Sequence, residues 1–447
     1  MKFCLTPTLV LRRLALVTVF ALAACGVDPH SPEATILADS PPPYDYPIQN
    51  PYAATVIATP PEQKVDFSAV PEPEEQELEI FPDREIPEGF WYEDGLHYSQ
   101  LLQDHAAPLV YVIAGTGADH RAEKMRALGN MLWTAGFHVV LLPSPTSQNF
   151  IVNASSNYLI GRPRQSAFDM YRVIQRIDPL IAEQVGVTQR MLTGFSLGAM
   201  DAAFTAQRDD EEHKINFSRV LLINPPYSLN SSIHRIDQML YIGLPGGIDN
   251  ADGFIEKIMR RLASTGGVDP LNFQNERLLL DAYEQYKIDD SSLASTIGLS
   301  FRLSAANMIF ANDVMSHGGY VFPANKEFTT GTDLNRILPV ALRTSFIDYF
   351  DEYYTAQARK AAPGITREEM VYESSLAALD GYIRNNSKFG LISNQDDVIL
   401  APGEIDKLAA MFGPRAHIFN NGGHLGNMAH PTVAYYIVRF LRDGGQS

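Results

Sequence analysis

Cysteine is nearly absent from this chain of 447 residues, which contains two, Cys4 and Cys25. This scarcity excludes a disulfide framework, a thiolate metal site and a cysteine nucleophile in the body of the protein. Basic residues are also few, with 35 lysines and arginines against 52 aspartates and glutamates and a formal net charge of −17. Because such an excess of acid repels phosphates, we expect no nucleic-acid partner.

The first 25 residues have the features of a targeting segment. Three basic residues precede an apolar run over 14–22, which is too short to count as a membrane span. The run leads into the letters LAAC, ending at Cys25, which resemble the lipobox of bacterial lipoproteins. That resemblance implies a signal peptide over 1–24, lipidation of Cys25 and, with Gly26 following, an outer-membrane location facing the periplasm. The alternative is a plain secretory signal with an accidental cysteine.

Proline is concentrated between residues 26 and 72, where it rules out a continuous helix or sheet. We therefore expect residues 25–74 to form a tether, in which the proline-rich stretch of about 45 residues would reach about 140 Å if extended at roughly 3.1 Å per residue. The alternative is a small subdomain that packs onto the core through Tyr44, Tyr46 and Tyr52.

From about residue 75 onward, strand and helix patterns alternate. Apolar runs predict strands at 77–81, 108–114, 137–142, 190–193, 219–224, 389–393 and 416–420, and a hairpin of 90–92 with 96–98. Apolar residues at helical spacing predict helices at 121–135, 164–184, 199–206 and 431–441. The alternation predicts an α/β fold, with a mostly parallel central sheet flanked by helices.

The pattern changes between residues 229 and 384, where strand signals are sparse. Helices are predicted there at 255–263, 292–310, 333–358 and 368–383. The simplest interpretation is one α/β core, formed by 75–228 and 385–447, that is interrupted by a large helical cap at 229–384. The alternative is a separate helical domain with a role of its own.

Residues 194–198 read GFSLG, the pattern of a nucleophile elbow, in which a sharp strand-to-helix turn exposes a serine. A short apolar run precedes it, and alanines at helical spacing follow it, so that the helix can lie close to a sheet. Both glycines have a mechanical reason, because a side chain at either position would strike the neighbouring backbone. The motif therefore predicts Ser196 as a nucleophile.

A serine nucleophile needs a histidine to take its proton and an acid to orient that histidine. Asp396 and Asp397 follow the strand predicted at 389–393, and either is a candidate acid. His424 lies in a glycine-rich loop after the last predicted strand and is the candidate base. His317, beside two glycines in the helical region, is the runner-up base.

These features, in the order serine, aspartate, histidine, resemble the α/β-hydrolase superfamily of serine hydrolases, over about 105–228 and 385–445. In that family the acid often precedes an aliphatic pair, which favours Asp397 over Asp396. The resemblance also implies an oxyanion hole with the backbone N–H of Leu197 as one donor. The loop after the strand at 108–114 would supply the other, from Thr116 or Gly117.

The resemblance implies a hydrolase of an ester or related acyl bond, with a small-molecule or lipid-like acyl substrate and no cofactor. No metal is predicted, because the chain has no H-E-x-x-H helix and no ligands clustered at zinc spacing. Nucleotide binding is not predicted either, because the glycines at 115–117 lack a P-loop lysine. The alternatives are an acyltransferase or peptidase acting on envelope components, and a lipoprotein that kept the fold as a binding module.

Overall fold

A computed structural model describes residues 36–67, 70–253, 280, 283–285 and 287–444. The signal peptide predicted at 1–24, the lipidation predicted at Cys25 and the helix predicted at 255–263 lie outside the described residues. The strands are β1 Glu74–Leu78, β2 Leu96–Leu101, β3 Ala107–Ile113, β4 His138–Leu142, β5 Val187–Phe195, β6 Arg219–Ile223, β7 Phe389–Asn394 and β8 Ala416–Phe419. They form one eight-stranded sheet in the order β1-β2-β4-β3-β5-β6-β7-β8.

The sheet is parallel from β4 through to β8, and β1 and β2 extend it as an antiparallel edge. Strands β3, β4 and β6 are apolar nearly throughout and buried, as expected for parallel strands that are covered on both faces. The predicted α/β class with a mostly parallel sheet is therefore confirmed. Because the strands run the same way, the loops after β3, β5, β6, β7 and β8 meet along one edge.

Helices cover both faces of this sheet. The α-helices of the described residues, including those of the cap, are α1 Pro51–Ile57, α2 Glu123–Thr134, α3 Gln148–Asn153, α4 Pro163–Gln184, α5 Leu197–Glu212, α6 Leu229–Gly243, α7 Asp290–Ser316, α8 Leu338–Arg343, α9 Phe346–Asp348, α10 Thr355–Ala361, α11 Arg367–Glu373, α12 Asp380–Arg384, α13 Glu404–Phe412 and α14 Pro431–Asp443. One face packs against α4, α5 and α13, and the opposite face packs against α2 and α14. The result is a three-layer core with two apolar clusters, one on each side of the sheet.

The hairpin predicted for 90–92 with 96–98 is wrong. Strand β2 pairs with β1 instead, so that Leu96 lies opposite Leu78. Residues 88–90 form a 3-10 turn, in which the N–H of Gly89 donates to the carbonyl of Phe328 at 3.0 Å. The Phe90 ring packs edge-on against the Phe328 ring, with centroids 4.9 Å apart. Burial of Phe90 against the cap therefore prevails over the local turn signal.

The cap is built around α6 and α7, which pack along each other. Helix α7 is long and apolar enough to cross a membrane, yet 67% of its apolar window is buried inside the protein. Arg302 on α7, 1% exposed, forms an ion pair with Asp237 on α6 at 3.0 Å. Asp237 also accepts the backbone N–H of Ile347 at 3.0 Å, which joins the start of α9 to the same pair. Three cap helices are thus held at one buried charged site.

Two long helices predicted in the cap are interrupted. The helix predicted at 333–358 stops at Thr344, because Ser345 and Asp348 form a capping box that begins α9 anew. A π-helical turn over Tyr349–Tyr354 then joins α9 to α10 and turns four aromatic rings inward. The helix predicted at 368–383 breaks after α11, where Ser375 makes a bridge to Ser228. In both places a serine that the apolar periodicity does not indicate lies at the break, Ser345 as the N-cap of α9 and Ser375 in the bridge to Ser228.

Residues 36–67 do not form a free tether. Ile36, Tyr46 and Ile57 are buried against the body of the protein, and α1 lies within this segment. Asn50 caps α1 by accepting the N–H of Ala53 at 2.9 Å. The prolines here bend the segment around the core and begin a short helix, and the apolar side chains between them keep it bound. We call residues 36–67 the N-terminal wrap.

Candidate active site

The turn between β5 and α5 places Ser196 at the edge where the parallel strands end. Ser196 has φ 55° and ψ −127°, a strained conformation that lifts its side chain out of the sheet. A Cβ at Gly194 would lie 2.3 Å from the carbonyl oxygen of Gly198, and one at Gly198 would lie 2.3 Å from that of Ile113. Glycine is therefore required at both positions, as the sequence predicts, and the turn has the geometry of a nucleophile elbow.

The structure brings together Ser196, Asp397 and His424, which are far apart in the sequence. The Ser196 Oγ lies 2.9 Å from Nε2 of His424, and Nδ1 of His424 lies 3.0 Å from both carboxylate oxygens of Asp397. All three side chains are at least nine-tenths buried. Because a carboxylate only accepts hydrogen bonds, Nδ1 carries the proton, and Nε2 is free to accept the Ser196 hydroxyl.

Asp396 has a different environment from Asp397. Its carboxylate accepts the backbone N–H groups of Gly422 and Gly423, at 3.2 and 2.9 Å, and makes no contact with the His424 ring. Partial burial raises the pKa of Asp396, and these two hydrogen bonds oppose the shift. Of the two carboxylates that the sequence leaves as candidates, Asp397 is the one at the histidine, and Asp396 fastens the histidine loop.

Two further groups hold Asp397, and the sequence does not predict either of them. The amide Nδ2 of Asn224 donates to Oδ2 of Asp397 at 2.8 Å, and the N–H of Ile399 donates to Oδ1 at 3.1 Å. Asn224 follows β6 with φ 46°, a left-handed conformation that asparagine tolerates well. The sequence does contain a signal that could identify Asn224, because this residue follows a core strand at the same edge of the sheet as Ser196.

The loop that carries His424 is fastened from two sides. Oγ1 of Thr55, on α1 in the N-terminal wrap, accepts the N–H of His424 at 2.9 Å. From the sheet, Nδ2 of Asn394 donates to the carbonyl of Gly423 at 2.8 Å. A Cβ at Gly423 would lie 2.3 Å from the carbonyl of Pro51, so the loop and α1 are in direct backbone contact. Thr55 was missed because the wrap was predicted to be a tether.

The two predicted oxyanion-hole loops lie beside Ser196. Leu197 is the first residue of α5, so its N–H has no partner within the helix. The N–H of Gly117 already donates to Oγ1 of Thr146 at 2.9 Å. Among the described residues, no group accepts the N–H of Thr116, which lines the same cleft as Ser196. The geometry therefore favours Thr116 over Gly117 beside Leu197 as a donor to an oxyanion.

His317 lies apart from this cluster. It ends α7 in a left-handed conformation with φ 50° and is exposed to solvent. It does not line the cleft that contains Ser196. The structure thus places the runner-up histidine at a helix terminus, where it closes the helix.

A cleft of about 870 Å³, including its open mouth, leads to Ser196 between the core and the cap. Its walls are mainly apolar, and most of the apolar side chains come from the cap. The apolar residues that line the cleft, from the core and the cap together, are Ile160, Pro163, Leu197, Pro226, Leu229, Ile233, Ile236, Phe301, Met308, Phe346, Phe350 and Ile399. This lining suits a substrate with hydrocarbon character near its reacting carbonyl.

The sheet order, the elbow and the three joined side chains together define the α/β-hydrolase fold. No protein-family model matches the chain, and no curated protein matches it. Similar solved structures include DcsB in complex with its substrate analogue, at 14% identity over 78% of this chain and 96% of that chain, with a TM-score of 0.39.

Two others are the thioesterase domain from the curacin biosynthetic pathway and an α/β-hydrolase fold protein from Nakamurella multipartita. The first is 11% identical over 83% of this chain and 99% of that chain, with a TM-score of 0.38. The second is 13% identical over 79% of this chain and 97% of that chain, with a TM-score of 0.34. Structural similarity at these identities and TM-scores does not indicate an activity for this protein.

Proposed function

We propose that the protein is a serine hydrolase that cleaves an ester or related acyl bond through an acyl-enzyme on Ser196. The observation that carries this proposal is the chain of hydrogen bonds from Asp397 through His424 to Ser196, at 3.0 and 2.9 Å. This arrangement lets a weak nucleophile lose its proton as it attacks a carbonyl carbon. The apolar cleft supports an acyl substrate that is small or lipid-like.

In the acylation step, the Ser196 Oγ attacks the carbonyl carbon while Nε2 of His424 takes the hydroxyl proton. Negative charge develops on the carbonyl oxygen, and the N–H groups of Thr116 and Leu197 are placed to stabilise it. The carbonyl re-forms as the bond to the leaving group breaks, and His424 returns the proton to that group. Asp397 stabilises the imidazolium form of His424 throughout and keeps the ring oriented.

In the second step, water attacks the acyl-enzyme, and His424 takes a proton from it. The carboxylic acid product leaves, and the Ser196 hydroxyl is restored. No feature of the described residues excludes water from the acyl-enzyme in favour of another acceptor, and we therefore propose hydrolysis rather than acyl transfer.

A fluorophosphonate probe tests the proposal directly. The purified protein should be labelled, and Ser196→Ala should abolish both the labelling and the hydrolysis of p-nitrophenyl esters. Ser166→Ala is a matched control, because Ser166 is a serine in the cleft wall that takes no part in the hydrogen bonds joining Asp397, His424 and Ser196. Labelling that persists in Ser196→Ala and is lost in Ser166→Ala would contradict the assignment.

We also propose that the protein is exported and anchored through a lipid on Cys25, facing the periplasm from the outer membrane. This proposal is supported by the basic start, apolar run and LAAC sequence of the first 25 residues. In a cell fractionation, Cys25→Ser should move the protein from the membrane fraction to the soluble fraction. An unchanged distribution would contradict lipid anchoring and leave the proposed chemistry unaffected.

A further inference from the structure

Asp201 is an isolated carboxyl group in the wall of the cleft. It lies on α5, five residues after Ser196, and is 2% exposed. In the part of the chain that the structure describes, no hydrogen-bond donor or cation reaches its carboxyl, and Oδ2 is wholly enclosed. Burial alone raises the pKa of Asp201 to about 8. A buried carboxyl without a partner is costly, so a bound group that pairs with it would remove a cost.

Ser232 is a second polar residue that lines the same cleft. It lies on α6 in the cap and is 3% exposed, and its Oγ has no hydrogen-bond partner among the described residues. The core wall and the cap wall thus each contribute one buried polar atom without a partner. Thr205, one turn after Asp201 on α5, is also buried and without a partner, but it does not line the cleft.

The other side chains of the cleft limit which groups can form hydrogen bonds with Asp201 and Ser232. Ile233, Ile236 and Met308 line the cleft and offer no hydrogen bonds. A substrate made only of hydrocarbon would leave the carboxyl of Asp201 and the hydroxyl of Ser232 sealed away from water and unpaired. A substrate that carries a hydrogen-bonding group would supply a partner in this region, which is how a buried polar site rejects the analogue that lacks the group.

We propose that Asp201 and Ser232 form a specificity subsite for a hydrogen-bonding substituent on the acyl group of the substrate, either a hydroxyl or a protonated amine. The proposal rests on the acyl hydrolysis proposed above. Five residues of helix separate Asp201 from Ser196 by about 7 Å along the axis, so the substituent lies several bonds beyond the reacting carbonyl. The Asp201 carboxyl accepts the O–H or N–H of the substituent, and the Ser232 hydroxyl supplies a second contact.

The test compares p-nitrophenyl esters with acyl chains of equal length that end in a methyl, a hydroxyl or an amine. For the unmodified protein, kcat/KM should be about 100-fold higher for a polar-ended chain than for the methyl-ended chain. Asp201→Leu should reverse that order, and Ser232→Ala should reduce the preference. A preference for the amine over the hydroxyl that Asp201→Asn removes identifies the amine. A preference for the hydroxyl that Asp201→Asn keeps in part identifies the hydroxyl.

Thr205→Val is the matched control, because it removes an unpaired buried hydroxyl from the same helix outside the cleft. It should leave the ratio of kcat/KM values between esters unchanged. Each protein is first titrated with the fluorophosphonate probe, so that rates refer to active sites. Failure of the unmodified protein to label would overturn the proposed function. Normal labelling with the methyl-ended ester preferred, or with equal ratios in Asp201→Leu, would overturn the subsite alone.

Discussion

Asn224 acts on the site through Asp397, since its amide contacts the carboxylate and not the nucleophile. Asn224→Gly removes the amide and keeps a residue that tolerates φ 46°. Loss of one hydrogen bond to a charged group is worth about 1.5–3 kcal/mol, so we expect kcat to fall by roughly 10- to 100-fold with KM little changed. Steady-state kinetics on a p-nitrophenyl ester would check this, and an unchanged kcat would show that Ile399 and His424 hold Asp397 without it.

The adjacent carboxylates make a matched pair for mutation. Asp397→Asn should lower kcat by about 10⁴-fold, because an amide at this position favours the wrong tautomer of His424. Asp396→Asn should have a much milder effect, since it weakens only the attachment of the loop at Gly422 and Gly423. Kinetics of the two variants under one set of conditions provide the measurement, and equal effects would place the acid elsewhere.

Asp201 also affects the pH dependence of stability. Its pKa is about 8 in the folded protein and near 3.8 ordinarily. The folded state therefore keeps a proton on Asp201 that the unfolded chain loses. The contribution of Asp201 to the free energy of unfolding falls as pH rises from about 4 to about 8, by about 1.4 kcal/mol per pH unit. Relative to the unmodified protein, Asp201→Asn should gain stability with increasing pH across this window. Urea unfolding at pH 5 and pH 8 measures the gain, and a gain that is equal at both values would contradict it.

At the scale of elements, α1 is the most direct support of the histidine loop from outside the core. Thr55→Val keeps the side-chain shape and removes the acceptor for the N–H of His424. We expect about a 10-fold loss of kcat/KM, since one buried donor is left unpaired, and we expect Thr55→Ser to restore activity. Measurement of kcat/KM for both variants tests this prediction, with circular dichroism to confirm that each variant is folded. An active Thr55→Val would mean that Asn394 and Asp396 position the loop alone.

The reacting side chains could be predicted from the sequence because local patterns mark them. The glycines around Ser196 mark a turn that tolerates no side chain, and Asp397 and His424 each follow a core strand closely. Asn224 also ends a core strand, but nothing local shows that its amide meets a carboxylate 173 residues away. Thr55 could not be found, because it follows no core strand and its partner lies 369 residues away.

The same division holds for the elements. Parallel strands such as β3 and β6 could be predicted, because burial on both faces makes them apolar throughout. The hairpin at 90–98 could not be rejected, because the burial of Phe90 depends on Phe328, which lies in the cap. The interruptions in the cap depend on single polar side chains, Ser345 and Ser375, within otherwise helical patterns. Long-range packing thus decided the wrongly predicted hairpin, whereas a local capping box at Ser345 interrupted one of the long cap helices.

For the whole molecule, the N-terminal wrap distinguishes two hypotheses about the start of the chain. A tether could be removed without effect on catalysis, whereas the wrap supplies Thr55 and buries Ile57 against the body. A protein beginning at residue 36 should keep full kcat/KM, and one beginning at residue 72 should lose most of it and unfold at lower temperature. Kinetics and thermal unfolding of the two proteins test this expectation. Equal kcat/KM and equal unfolding temperatures would support the hypothesis that residues 25–74 are only a tether.

If Cys25 carries the proposed lipid, the wrap also limits how far the catalytic body can lie from the membrane. Eleven residue steps separate Cys25 from Ile36, where the chain is already buried against the body. Eleven residues at about 3.3 Å each reach roughly 36 Å, a quarter of the distance that a tether ending at residue 74 would allow. An enzyme anchored through so short a linker would work within one protein diameter of the bilayer, on substrates that reside in the bilayer or diffuse along it.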